Sequence, residues 1–496
     1  MKQALARGAA WMILARWTLR LIGIVSTLVL ARLLVPEDFG LVAMAMTVIA
    51  LVELLSYVGI EMVLIKHPAP TRQHYNTAWT LSLCIAVSCA ALTALAAHPA
   101  ALFFNEPRLT AIMLVIAASW GLQSFENIGT VDFRRNLQFD KEFAYLTGKK
   151  LAGFVVTLVG AFLFRSYWAL VAGLVASRIT GIVLSYAMHP LRPRWCLRHW
   201  REMLSFTGAM LINGFLHFAG TRIPHAFTGR LMGAAPLGVY AIGEEIASLP
   251  ITEVVDPIGR ALFPGYSRLA HDLAALGDRV LQINAAVVAA ALPACAGIAL
   301  LAEPAVALAL GDKWLAAIPV VQVLAISAGC AAMRSNSWAV YYSIGRPYLW
   351  TRQWLVKLAA LAVSIWPLFG QFGLLGVAYS DLISTFAMLI VDVGTLLRTL
   401  RLSGRRYLGV LWRPVVATVL MAFAVHTTTI ALSSQMAAPA SAVGLASIVT
   451  AGIGVGVAVY GAALMLLWRL SGCPEAIEAL LLRRAQRLFA FGQPRT

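Results

Sequence analysis

Apolar runs long enough to cross a bilayer recur along the whole chain, and no other feature constrains its fold as much. Of 496 residues, 60% are hydrophobic and 12% charged, against roughly 45–50% and about 25% in soluble domains. A single water-exposed core cannot absorb that excess, because such cores stop growing near about 250–300 residues. A spanning helix takes about 20 residues. Reading the runs between Pro, Gly and charge clusters places helices at 9–35, 39–65, 76–98, 108–133, 142–164, 167–189, 203–232, 236–263, 280–310, 315–342, 348–369, 372–397, 408–432 and 441–468. The expected fold class is an all-α polytopic membrane protein with about 14 transmembrane helices. No stretch remains for a soluble catalytic domain, which argues against most membrane enzymes.

The net charge of +17 would suggest nucleic acid as the partner of a soluble protein. Here it has a simpler source, since inside loops of membrane proteins collect Lys and Arg. With both termini inside, the outside connections hold only Arg32, Arg108, Arg165, Arg230 and Lys313, while clusters such as Arg192, Arg194, Arg198 and Arg201 fall inside. The expected partners are therefore the bilayer and a membrane substrate, with no nucleic acid. The apolar run of the first helix is interrupted by Arg16 and Arg20 and lacks a cleavage site, so it is expected to remain as a span. Six cysteines show no metal-ligand spacing and read as small buried hydrophobes.

The expected organisation is an N-lobe of six helices (1–189), a basic linker (190–202), a C-lobe of six (203–400), two accessory helices (401–470) and a basic tail (471–496). In the tail, Pro474 to Phe491 suits a helix lying on the inner leaflet or a solvated segment. A shift of 198 residues lays Ala31–Ala43 over Gly229–Ala241, with Arg, Leu, Gly and Ala recurring in register. Each stretch joins the first and second helix of its own six. The match points to two pseudo-symmetric lobes related by a parallel repeat around a central cavity.

Ionisable groups inside spans cost roughly 2.5–3.5 kcal/mol each on insertion scales, so they face a bundle interior or a water-filled cavity. Arg16 and Arg20 are four apart and share a helix face, an arrangement suited to a phosphate; snorkelling to lipid phosphates is the alternative. Arg222 on the seventh helix, Arg260 on the eighth and Arg334 on the tenth complete the expected set of cavity cations. At 100° per residue, Glu245, Glu253, Asp256 and Arg260 fall on one face of the eighth helix, subject to kinks at Pro250 and Pro257. Glu245, Glu253, Asp256 and, on the twelfth helix, Asp381 are candidates for ion coupling or for charge partners of the cations; Asp392 could neutralise further charge. His217 and His225 read as packed residues. Trp11, Trp17, Trp168, Trp314, Trp338, Trp350 and Trp366 read mostly as interface markers.

There is no G-x-x-x-x-G-K-[ST], no H-E-x-x-H and no Gly-rich dinucleotide loop. No cofactor, metal or catalytic residue is therefore expected, and energy must come from an ion gradient, the membrane potential or consumption of the substrate downstream.

The segment ARLLVPEDFGLVAM (Ala31–Met44) resembles the junction of helices 1 and 2 in the polysaccharide transporter, or oligosaccharide flippase, family of the multidrug/oligosaccharidyl-lipid/polysaccharide exporter superfamily. FRRNLQFDKEF (Phe133–Phe143), LFPGYSRL (Leu262–Leu269), LGDKWLAAIPVVQVLAI (Leu310–Ile326) and IGRP (Ile344–Pro347) are similar to the same family in the same order. The resemblance implies a V-shaped cavity between two six-helix lobes, alternating access, and transfer of an undecaprenyl-diphosphate-linked oligosaccharide from the cytoplasmic to the periplasmic leaflet of a bacterial inner membrane. It implies no covalent chemistry, an accessory role for the last two helices, and polysaccharide polymerase or export machinery as possible partners. The alternatives are a lipid II flippase or a multidrug/cation antiporter of the same superfamily. From other classes, a membrane oligosaccharide polymerase or ligase is disfavoured by the short external loops, and a non-transporting scaffold by the intramembrane charges.

Overall fold

The computed structural model describes residues 2–56, 60–204, 208–435 and 441–471. The expected tail helix at Pro474–Phe491 lies outside the described residues. By contacts the chain forms two units, Met1–Ala241 and Ile242–Thr496. The first holds α1 (Lys2–Leu33), α2 (Pro36–Ser56), α3 (Ile60–Lys66), α4 (Arg72–Phe104), α5 (Arg108–Gln123), a 3₁₀ turn (Ile128–Thr130), α6 (Val131–Arg135), α7 (Phe139–Phe164), α8 (Trp168–Met188), α9 (Trp200–Leu204) and α10 (Gly208–Met232). Helix α11 (Ala234–Ala247) runs across the division. The second unit continues with a π turn (Ile251–Val255), α12 (Asp256–Leu269), α13 (Leu273–Ala309), a 3₁₀ turn (Asp312–Ala317), α14 (Ile318–Met333), α15 (Ser337–Ser343), α16 (Tyr348–Phe372), α17 (Leu374–Thr399), α18 (Gly404–Gln435) and α19 (Ala442–Leu470).

Among the described residues, each of the fourteen runs read from the sequence is mainly helical. Among the described residues ten are long and apolar enough to cross a membrane, or eleven if the pair Arg108–Gln123 and Ile128–Arg135, bent by 71°, forms one span. The chain is a multi-pass membrane protein. Its outward faces are apolar, with Leu163, Phe164, Val363, Val443 and Val457 exposed, while the hydrogen-bonded Thr77, Thr80, Asn127, Ser185 and Ser380 are fully buried. Lipid in place of water explains that inversion, since apolar surface then costs nothing and polar groups must pair internally.

The two halves repeat one packing order. In the first unit α4 packs on α5, α7 on α8, and α5 on α8; in the second, α13 packs on α14, α16 on α17, and α14 on α17. The last two helices, α18 and α19, pair with each other and lie against α13. In the first unit α1 packs along α7, while α10 packs on α2 and α4.

The repeated glycines show why the 198-residue shift is visible. A Cβ on Gly40 would stand 1.7 Å from the Ala234 carbonyl oxygen, and one on Gly238 would stand 1.8 Å from that of Pro36. Ala234 is the 198-shifted counterpart of Pro36, and Gly238 of Gly40. The contact is thus reciprocal, as a two-fold relation between the starts of α2 and α11 requires.

Three of the expected spans are not single straight helices. The run 108–133 breaks after Gln123, and Asn127 caps the 3₁₀ turn that follows, its Oδ1 accepting from Gly129 N at 2.9 Å. The run 315–342 breaks at Arg334–Asn336. In the run 236–263 the π turn intervenes between Pro250 and Pro257, which cannot both keep α-helical hydrogen bonding around them. Trp314 is fully buried beneath the 3₁₀ turn, so it does not mark an interface.

The basic connection after α8 has no regular secondary structure, yet its backbone is tied down. Asn127 Nδ2 donates to Leu191 O at 2.7 Å, Arg194 N to Asn76 Oδ1 at 3.0 Å, and Cys196 N to Thr80 Oγ1 at 3.0 Å. His189 anchors its start: Nδ1 accepts from Leu191 N at 3.2 Å and Nε2 lies 3.4 Å from Asp132 Oδ2. Burial pushes the His189 pKa below its ordinary 6.5, opposed in part by Asp132, while Lys141 and Arg192 push it further down. The neutral ring fits because a proton on Nδ1 would face the Leu191 N–H. Since the folded pKa is depressed, the unfolded chain takes the proton first as pH falls, so this anchor loses its stabilisation from about pH 6.5 downward. His189→Asn is expected to flatten the acid side of the thermal stability profile between pH 7 and pH 5; an unchanged profile would show that the ring does not contribute.

Candidate functional site

The family-like motifs turn out to be joints between helices. Pro36 opens α2 and Asp38 follows in its first turn, where a carboxylate meets free backbone N–H groups. Asp38 Oδ2 accepts from Val35 N at 3.2 Å, and Oδ1 from Tyr167 N at 3.0 Å at the start of α8. Glu37 takes Arg108 at 2.5 Å, and Arg108 Nε also reaches Glu106 at 2.8 Å. That pairing holds the Glu106 carboxyl below its ordinary value. In the FRRNLQFDKEF segment Arg134 bonds Glu142, and its Nη1 lies 3.2 Å from Glu61.

Within the first unit, Arg16 and Arg20 are half-buried on α1. Their four-residue separation stacks them on one face. Arg222 is half-buried on α10, and its charge and that of Arg178 on α8 both act on Glu53 of α2. Arg178 is fixed from the other side: Nη1 donates to Ser119 Oγ at 2.8 Å and to Ile116 O at 3.2 Å, and the guanidinium lies 5.6 Å from the Trp120 ring centre. Glu53 is the functional candidate that sequence reasoning missed. It is an exposed acid in an otherwise apolar stretch of α2, and the same argument about ionisable groups in apolar runs singles it out.

Within the second unit, α14 to α17 enclose a polar core. Arg334 ends α14 and is 8% exposed, its guanidinium 4.8 Å from the Trp350 ring and 5.9 Å from that of Trp354. Asp392 on α17 is 1% exposed and accepts from Ser337 Oγ at 2.5 Å and Tyr341 OH at 2.8 Å, within the Coulomb field of Arg334. Beside it, Asp381 takes Lys357 Nζ at 2.9 Å and Ser327 Oγ at 2.7 Å. In this core Arg334 lies in the Coulomb field of Asp392, Lys357 pairs with Asp381, and Arg352 on α16 donates to Thr395 Oγ1 on α17.

The expected acidic face of the eighth helix does not hold as drawn. Glu245 is exposed on α11, and Glu253 is half-buried inside the π turn, accepting from Thr252 Oγ1 at 3.2 Å. The wider turn between them shifts the angular register on which the single face depended. The side chains of Asp256 and Arg260 lie outside the described residues. His225 is buried, with Nδ1 3.2 Å from Thr221 O and its ring edge-on to Tyr240, as a packed histidine would be.

Residues 29–319 match the family described as polysaccharide biosynthesis protein. The chain belongs to that family. It is 24% identical over 329 residues to the succinoglycan biosynthesis transport protein ExoT of Rhizobium meliloti (strain 1021), covering 66% of this chain and 67% of that one. It is 21% identical over 437 residues to the teichuronic acid biosynthesis protein TuaB of Bacillus subtilis (strain 168), covering 86% and 90%. The lipopolysaccharide biosynthesis protein WzxC of Escherichia coli (strain K12) is 24% identical, covering 64% and 66%. Among solved structures, the lipid II flippase MurJ in an inward closed conformation superposes with a TM-score of 0.72 at 11% identity, covering 93% of this chain and 99% of that one. An inward-facing multidrug resistance MATE family transporter of the MOP superfamily follows at 0.59 and 14%, covering 77% and 94%. These likenesses establish a shared fold; the family itself is set by the sequence match.

Proposed function

We propose that this family member is a flippase that moves an undecaprenyl-diphosphate-linked oligosaccharide from the cytoplasmic to the periplasmic leaflet of a bacterial inner membrane, with both termini cytoplasmic. The observation that carries the reading is the family match over 29–319, joined to a relative named as a succinoglycan biosynthesis transport protein. The fold alone does not choose among lipid II, drugs and oligosaccharides, since proteins named for lipid II and for multidrug transport share it.

The chemistry is non-covalent. A diphosphate with attached sugars cannot cross about 30 Å of hydrocarbon unaided, whereas arginines exposed alternately to each side can carry it while the polyprenyl tail stays in lipid. Arg16 and Arg20, stacked on one face of α1, are suited to a forked grip on the diphosphate, with Arg222 and Arg260 as further cavity cations. Arg334 is buried more deeply than Arg16, Arg20 and Arg222, and its proposed part is to hold the second unit's charge network with Asp392 while Lys357 and Asp381 form the other pair. Glu245, Glu253 and Asp256 remain the proposed coupling groups. A polysaccharide polymerase or export assembly would consume the product on the far side.

Deleting the gene is expected to trap the lipid-linked oligosaccharide in the cytoplasmic leaflet, as read by extraction, mass analysis and leaflet-selective labelling. An unchanged lipid pool with altered drug sensitivity would instead favour a small-molecule antiporter. A charge-assisted hydrogen bond contributes about 1.5–3 kcal/mol, so Arg16→Gln or Arg20→Gln is expected to slow export by about tenfold or more at normal protein level. Full surface polysaccharide from the double variant would remove both from the substrate path.

A further inference from the structure

We infer that the turn between α3 and α4, together with the linker helix α9, forms a site for a divalent transition metal of the zinc class, with His67, His74 and Glu202 as ligands and His199 stacked beside them. Three separate segments converge here. His67 Nε2 stands 3.8 Å from Glu202 Oε1, His74 Nε2 stands 3.8 Å from Oε2, and His199 Nδ1 stands 3.8 Å from the same Oε2. Ligand atoms of His67, His74 and Glu202 all lie within 4.8 Å of one another. The rings of His67 and His74 are 4.5 Å apart, and those of His74 and His199 stack at 4.0 Å.

These spacings are too long for hydrogen bonds and close to what a metal spans. Two ligands at about 2.1 Å on a tetrahedral zinc are separated by about 3.4 Å, so small side-chain movements close the shell. Three imidazoles crowded around one carboxylate, two of them stacked, are an awkward group to protonate together, whereas neutral imidazoles with one carboxylate make a coherent donor set. Nitrogen-rich sets of this kind suit zinc, copper or nickel rather than magnesium or calcium.

The surroundings supply part of the outer shell. His74 Nδ1 accepts from Thr71 N at 3.1 Å and lies 2.7 Å from Thr71 Oγ1, so presenting the Nε2 lone pair to a metal means moving the ring proton to Nδ1, where Thr71 Oγ1 can accept it in place of the backbone bond. His67 is held in the same way, its Nδ1 accepting from Ala69 N at 3.1 Å. That bond lies on the exposed surface, and the ring would exchange it for the metal. His74 is buried while Glu202 is exposed, which leaves an entry path on the carboxylate side. The preceding linker is already bonded to α4 through Arg194 and Cys196. A metal at α9 would clip the far end of the same linker to the turn before α4.

The test uses the full-length protein without a histidine tag, stripped with chelator and titrated with Co²⁺ and then Zn²⁺. One Co²⁺ per chain is expected, with the visible absorption of a low-coordinate nitrogen–oxygen site, displaced by Zn²⁺. Glu202→Gln and His74→Asn are each expected to weaken binding by more than about tenfold. His67→Asn, which leaves the Thr71–His74 cap of α4 untouched, stands in if His74→Asn fails to fold. Zn²⁺ should also slow tryptic cleavage between Arg192 and Arg201 in the parent but not in the variants. Absence of a stoichiometric Co²⁺ band, or equal affinity in parent and variants, would overturn the site, and neither readout depends on what the protein transports.

Discussion

Gly40→Ala and Gly238→Ala are each expected to destabilise the protein by about 1–3 kcal/mol or more, despite placing a better helix former in a helix. Alanine normally gains up to about 1 kcal/mol over glycine there. That gain is outweighed because the new methyl carbon would stand 1.7 Å from Ala234 O in one case and 1.8 Å from Pro36 O in the other. Both obstacles are backbone, so no side-chain rotation relieves them, and the starts of α2 and α11 must separate. Gly297 and Gly394, on α13 and α17, have nothing within 4 Å of the corresponding position, and their alanine variants should be as stable as the parent or slightly more so. Because both contacts share one crossing, the double variant should cost less than the sum of the singles. Thermal unfolding in detergent checks all five proteins. Glycine variants indistinguishable from the controls would mean that the helices do not approach so closely in the membrane.

Local chemistry was the part most legible in the sequence. Runs separated by Pro, Gly and charge marked fourteen helical segments because lipid imposes length and composition on each span independently of its neighbours. The VPEDFG junction was legible through its local part, Pro36 opening α2 and Asp38 bonding Val35 N, whereas its bonds to Tyr167 and Arg108 could not be read from the spacing. The repeat was legible through Gly40 and Gly238, where close backbone contact tolerates no other residue. What depended on a straight helix was less secure. The shared face of Glu245 and Glu253 relied on 100° per residue and lost its register at the π turn. Pairing over distance was harder still. Asp381 was recognised as a charge partner, but nothing in the spacing selects Lys357 over Arg334 for it. Glu53 escaped attention although the same argument about ionisable groups in apolar runs applies. His67 with His74 and His199 with Glu202 are each close in sequence, but nothing in the spacing says that the fold brings these two distant stretches together.

Removing Asp392 should be the most damaging single change in the second unit, at about 3–5 kcal/mol, the usual cost of stranding one member of a buried charge pair. Arg334 is 8% exposed, and its Nε and Nη2 have no hydrogen-bond partner among the described residues. Its charge is balanced by the field of Asp392 and by the faces of Trp350 and Trp354. Asp392→Ala removes that balance together with two acceptor contacts to Ser337 and Tyr341. Asp392→Asn keeps a polar group of the same shape, so the difference between the two separates charge from hydrogen bonding. If charge dominates, Asn is nearly as harmful as Ala, and adding Arg334→Met to either restores most of the loss, because a fully neutral interior no longer contains an unpaired cation. Thermal or denaturant unfolding of these four variants, of Arg334→Met alone and of the parent forms the cycle. Additive losses in the double variants would sink the pairing. A stable Arg334→Met/Asp392→Asn protein that no longer exports polysaccharide would show that the pair serves transport beyond holding α14 to α17 together.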